Sequence, residues 1–121
     1  MTIKTYRDLD VWKKSRGLVK QIYLLSSRFP KEEIYGLTSQ LRRAVVSVPS
    51  NIAEGHSRSG TKDFIQFISI AIGSLAEVET QVLLACDLEF VKENDIEPIV
   101  KNIHELQRML HALRTSLKAK L

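Results

Sequence analysis

The stretch Asp95–Leu121, DIEPIVKNIHELQRMLHALRTSLKAKL, decides the fold. Ile96, Ile99, Ile103, Leu106, Leu110, Leu113 and Leu117 recur at steps of three and four without a break, which places them on one face of a helix. Sustained over about three heptads, such a seam is the pattern of left-handed packing in a helix bundle. Asn94 or Asp95 is placed to cap the start, Glu97 falls in the first turn, and Pro98 is tolerated near the beginning. At 1.5 Å per residue, residues 95–121 would make a rod of roughly 40 Å. A stripe that long requires other helices to cover it.

Three such partners lie upstream, and no segment alternates as a strand would. The first runs from about Asp8 to Phe29, with Leu9, Trp12, Leu18, Ile22 and Leu25 on its apolar face. Thr5 or Asp8 is placed to cap it, and Pro30 ends it, because the residue before a proline is disfavoured in a helix. The second spans about Leu37 to Glu54. Leu37, Leu41, Ala44, Val45, Val48 and Ile52 form its stripe, and Pro49 predicts a bend. A second line of small or polar residues, including Ser39, Arg43, Ser47, Asn51 and Glu54, suggests close packing against another backbone or a ligand. The third reaches from Thr61, a candidate N-cap, to about Phe90. Short links between long helices make neighbours antiparallel. The expected fold is all-α: one domain over residues 1–121, an up-down-up-down four-helix bundle with helices near 8–29, 37–54, 61–90 and 95–121.

The third helix is apolar on more than one side. Phe64, Ile65, Phe67, Ile68, Ile70, Ala71 and Ile72 are nearly continuous, whereas one bundle buries one stripe. Self-association is the simplest source of a second cover, so Phe64, Ile65, Phe67, Ile68 and Ile72 are expected at an oligomer interface. Gly73 and Ser74 would allow close helix approach there.

Composition bounds the function. The 121 residues, 44% of them hydrophobic, suit one domain with its own core. The lone cysteine, Cys86, excludes an internal disulfide and fits a reducing cytoplasm. MTIKTYRDLD lacks the apolar run of a signal peptide, and no stretch approaches about 18 uncharged apolar residues, so no membrane association is expected. The net charge of +4 conceals an asymmetry: residues 1–43 carry +6, residues 44–100 carry −6 and residues 101–121 carry +4. Such a split steers an anionic partner toward particular faces, or matches charge between helices or subunits.

Opposite the seam of the fourth helix run Lys101, His104, Arg108, His111, Thr115 and Lys118, a basic line at helical spacing. A rod of that kind can track a phosphate backbone; it is also what a solvated face looks like, and no aromatic residue interleaves with it to stack bases. His104 and His111 lie seven apart, too far to share one ion, so no metal is expected. The segment Gly55–Lys62, GHSRSGTK, has two glycines but the order Thr-Lys, and it follows a helix rather than a strand, unlike a nucleotide-binding phosphate loop. Arg58 and Lys62 beside a helix start could still hold a nucleic-acid phosphate. No serine, histidine or carboxylate falls in a recognisable catalytic setting.

Three stretches, DLDVWKKS (Asp8–Ser15), FPKEEIYGLTSQLRRAVVSVPSNIAEGHSR (Phe29–Arg58) and FIQFISIAIGSLAEVETQVLLA (Phe64–Ala85), resemble the four-helix bundle proteins encoded in intervening sequences of bacterial 23S ribosomal RNA genes. The most specific part is YGLTSQLRRAVVSVPSNIAEG; residues 92–121 match in pattern only. The resemblance implies a small bacterial cytoplasmic protein that assembles into a homopentameric ring. It is similar in fold to the accessory variability proteins of diversity-generating retroelements, which bind nucleic acid and a reverse transcriptase. It implies no catalytic residue and no cofactor.

Together these readings predict a non-enzymatic homo-oligomer that binds structured RNA or DNA through clustered cations. The candidate phosphate contacts are Lys13, Arg16, Lys20, Arg42, Arg43, Arg58, Lys62, Lys101, Arg108, Arg114 and Lys118. Arg42 and Arg43 have an alternative use in pairing with Glu54 or with an acidic residue of a neighbouring subunit. The competing reading is a scaffold that docks a partner protein such as a polymerase.

Overall fold

A reciprocal capping exchange precedes the first long helix. In the computed structural model, which describes residues 2–121, the Thr5 hydroxyl accepts from the Arg7 amide while Asp8 accepts from the Lys4 and Thr5 amides. Those two backbone donors hold the Asp8 carboxyl below its ordinary value. The exchange fixes a single 3-10 turn, Tyr6–Asp8, so the first long helix, α1, begins only at Asp10 and runs to Ser26. A second 3-10 turn, Lys31–Glu33, leads to α2, Leu37–Ser57; α3 is Thr61–Asp87 and α4 is Glu93–Lys118. No strand occurs among the described residues.

Local chemistry moves several expected boundaries. Helix α2 continues through Pro49 and past Glu54 to Ser57, leaving Arg58–Gly60 as the link. Thr61 is the first residue of α3 rather than its cap; Gly60 takes the cap position. Asp95 lies at the third position of α4 and reaches back, accepting the Lys92 amide at 2.9 Å. That bond, with the Arg28 guanidinium at 3.2 Å, holds its carboxyl low.

Helix α3 stops at Asp87, earlier than its apolar run suggests, because Glu89 adopts φ 62. The Phe90 amide then bonds the Ala85 carbonyl and the Glu89 amide bonds that of Cys86, which closes a Schellman turn. Glycine is the residue that reaches this region without strain. Glu89→Gly is therefore expected to stabilise the fold by about 0.5–1 kcal/mol, raising Tm by about 2–5 °C in calorimetry.

Helix α4 runs opposite in sense to α1 and to α3. Lys14, Gln21 and Arg28 on α1 meet Glu105, Asn102 and Asp95 on α4, so one set of numbers rises as the other falls. On α3, Ser69 and Glu79 meet Arg114 and His104 of α4. Each helix packs on two others, and the pairs α1/α3 and α2/α4 do not approach each other, so the four stand at the corners of a square. Leu18, Ile22, Val45, Ile52, Leu75, Val78 and Leu106 fill the centre. Of the α4 seam, only Leu113 is less than buried.

The greasy reputation of α3 needs correction. By length and mean hydropathy, 1.5 over its richest 18-residue window, α3 resembles a membrane span more closely than its sequence suggested. It packs against both α2 and α4, as every helix here packs on two others, yet only 33% of that window is buried within the subunit. Ile68 is 0% exposed and belongs to the subunit core, not to an interface. Phe64, Ile65 and Ile72 are half-buried against that core, and half-buried Phe67 lies beneath the Arg58 guanidinium. Exposed apolar residues on or beside α3 are Ile70, Leu83, Leu84 and Leu88. Gly73 meets nothing within 4 Å; the close approach is made by Gly55 of α2.

Candidate nucleic-acid interface

Eleven cations were candidates, and packing sorts them. Helix α1 carries Lys13, Arg16 and Lys20 at steps of three and four, all exposed; α4 carries Lys101, Arg108 and Lys118, also exposed. These helices are neighbours. Their relative height is fixed by Asn102 donating to Gln21 at 2.9 Å and by Lys14 with Glu105 at 3.2 Å. Running oppositely, they bring Lys20 to the level of Lys101 and Lys13 to that of Arg108. Each pair along a helix is seven residues apart, roughly 10 Å at 1.5 Å per residue. The ion pairs among the described residues engage Lys14, Arg28, Arg58 and His104, so Lys13, Lys20, Lys101 and Arg108 remain available.

Other candidates are already engaged. Arg42 donates through Nε to the Ser26 hydroxyl at 2.8 Å and through Nη2 to the Tyr23 carbonyl at 3.4 Å. Its guanidinium lies 4.5 Å from the Tyr23 ring centre. It ties the end of α1 to α2 and does not pair with Glu54. Arg58 takes Glu54 at 2.7 Å and covers Phe67. Arg114 donates to the Ser69 hydroxyl and contacts the His111 ring, so it secures α4 to α3. His104 faces Glu79 at 2.6 Å, which takes it out of the basic line. Arg16 lies over the Trp12 ring, and Lys62 is exposed at the start of α3.

The small-residue line on α2 has a structural use. The Ser47 hydroxyl bridges to Ser74 Oγ at 2.7 Å, and Asn51 Nδ2 donates to the Ser47 carbonyl. These contacts bring α2 and α3 close. Beside them is a groove of about 570 Å³ lined by Tyr23, Ile34, Thr38, Ser39, Arg42, Arg43, Val46 and Ser47. Arg43 is exposed and forms no ion pair among the described residues. Tyr23, Ile34 and Val46 carried no signal in the sequence, because they fall outside both the seams and the charged lines.

Among the described residues no three His, Cys, Asp or Glu side chains come together in a metal-holding group. Partial burial and the nearby carboxylates Glu93, Asp87 and Asp95 push the Cys86 thiol up, away from a nucleophilic thiolate.

Residues 7–112 match the family described as 23S rRNA-intervening sequence protein. The chain belongs to that family. Its architecture is similar to that of a solved protein of unknown function from the S23 ribosomal protein family of Bacteroides thetaiotaomicron. The TM-score is 0.80 and the identity 23%, covering 86% of this chain and 97% of that one. At that identity the likeness concerns the fold alone. No curated protein matches this chain.

Proposed function

We propose that this 23S rRNA-intervening sequence protein is a non-enzymatic, cytoplasmic, up-down-up-down four-helix bundle that self-associates and binds structured RNA or DNA. The observation that carries the reading is the pair of basic lines on adjacent helices, with Lys13 and Lys20 on α1 level with Arg108 and Lys101 on α4 and none of the four engaged in an ion pair. Cations at that spacing suit phosphates rather than base edges, so binding should depend steeply on salt and little on sequence. Four phosphate contacts predict a slope of about −3.6 in log K against log salt on a duplex, or roughly 100-fold weaker binding between 50 and 200 mM.

Fluorescence anisotropy with a labelled RNA hairpin and a DNA duplex tests the reading. Replacing Lys13, Lys20, Lys101 and Arg108 together by Gln should weaken binding at low salt and flatten the slope by about three to four. An unchanged slope, or no binding of either probe at 50 mM salt, would overturn the reading. The exposed Leu83, Leu84 and Leu88 support the second reading, a scaffold for a partner protein. Capture of a polymerase that is indifferent to the four Gln replacements would favour it.

A further inference from the structure

The two basic lines border a strip of different character. Between α1 and α4 lies a cleft of about 280 Å³ lined by Lys14, Gly17, Gln21 and Asn102. A second cleft, also of about 280 Å³, meets it at Gln21 and presents Leu24 and Pro98. Charge within the strip is already neutralised, since Lys14 meets Glu105 and Arg28 meets Asp95, each at 3.2 Å. Leu24 is 64% exposed. Phosphates are drawn to the bordering cations, so the strip suits a group that is neutral, polar at its edge and apolar on its faces. A nucleobase is such a group.

We infer that this strip seats the unpaired bases of a single strand whose phosphates lie on Lys13, Lys20, Lys101 and Arg108. The Asn102 amide donates to Gln21 Oε1 at 2.9 Å. That bond uses one donor and one acceptor, and it leaves Gln21 Nε2 to donate and Asn102 Oδ1 to accept. The Watson–Crick edge of every base carries a donor beside an acceptor. The pair therefore fits any base, and it selects for a base that is unpaired rather than for its identity. In a duplex the complementary strand occupies those edges.

Gly17 supplies the floor of the seat. It lies in the interior of α1, between Lys13 and Lys20, where glycine weakens a helix relative to alanine. A Cβ there would meet nothing within 4 Å, so packing inside the subunit does not call for the glycine. Its use is outward. Without a side chain at this position, a flat ring can come close to the α1 backbone, directly beside the free donor and acceptor of the amide pair.

The inference rests on the nucleic-acid binding proposed above and names the form of nucleic acid that the face takes. One labelled strand, prepared as RNA and as DNA, is titrated alone and annealed to its complement, by fluorescence anisotropy at about 150 mM salt. The lone strand should bind roughly tenfold more tightly than its duplex, in RNA and DNA alike. Gly17→Leu fills the floor at a position free of contacts. It should raise Tm, weaken strand binding by roughly tenfold and leave duplex binding unchanged. Asn102→Leu, with circular dichroism to establish that it is folded, should show the same selective loss of strand binding. No binding of strand or duplex, even at about 50 mM salt, would overturn nucleic-acid binding and this seat together. Binding in which the duplex equals or exceeds the strand, or in which Gly17→Leu weakens both alike or neither, would overturn the seat alone. A strand preference confined to RNA would trace it to the 2′-hydroxyl and likewise remove the seat.

Discussion

Truncating Ile68 to alanine is expected to cost about 3 kcal/mol of unfolding free energy, within the range of about 2–5 for a buried isoleucine. Ile68 has no exposed surface, and its neighbour on the inner face of α3, Ala71, is equally enclosed. Removing its three outer carbons leaves a hole between packed helices that cannot close without moving them. Tm should fall by roughly 10 °C, since about 1 kcal/mol corresponds to about 3–5 °C at this size. The informative control is concentration. A core loss lowers Tm by the same amount in dilute and concentrated samples, whereas a residue lost from an interface has an effect that depends on protein concentration. A shift confined to high concentration would return Ile68 to the subunit interface and undo the assignment made from its burial.

Ile68 also marks the limit of what the sequence discloses. The α4 seam was legible because α4 buries one stripe and leaves the rest to solvent, so the period of three and four stands out. Helix α3, like α4, touches two neighbours within the subunit, but it also carries apolar residues on its outer side, Ile70, Leu83 and Leu84, so no single period stands out. Boundaries were harder for local reasons. No glycine announced the end of α3, since Glu89 takes the left-handed position itself. The start of α4 was misplaced by two residues, because Asp95 caps from inside the helix.

The candidate site divides in the same way. Lys13, Lys20, Lys101 and Arg108 were readable as exposed lines, but their shared level depends on Gln21 and Asn102, 81 residues apart in the chain. Arg42 and Arg43 are adjacent and chemically identical, yet one step of about 100° around the helix gives them opposite fates. One reaches Ser26 and Tyr23; the other faces solvent. Only the packing of α1 on α2 distinguishes them.

Gly55 should give the second large effect, and its sign is opposite to the usual gain for removing glycine from a helix. Alanine in place of glycine inside a helix gains about 1 kcal/mol of propensity. At Gly55, however, an added Cβ would lie 2.5 Å from Phe67 Cβ and 3.1 Å from Phe64 Cδ1. Carbon atoms in contact settle at about 3.5–4.0 Å, and Phe67 Cβ is bonded directly to the α3 backbone, so no rotamer change relieves the overlap. The helices must separate by about 1 Å where α2 meets α3, and forced overpacking costs about 1–3 kcal/mol. That separation also lifts the Phe67 ring from the Arg58 guanidinium, 5.1 Å away. Gly55→Ala is expected to lose about 2 kcal/mol net and to lower Tm by about 6–10 °C. Gly73→Ala, where the new methyl meets nothing within 4 Å, is expected to raise stability by about 0.5–1 kcal/mol through propensity alone. Opposite shifts of these two variants in one calorimetric series would isolate close approach as the reason for the glycine. A stabilised Gly55→Ala protein would show that α2 and α3 do not meet as closely as the Phe67 contact requires.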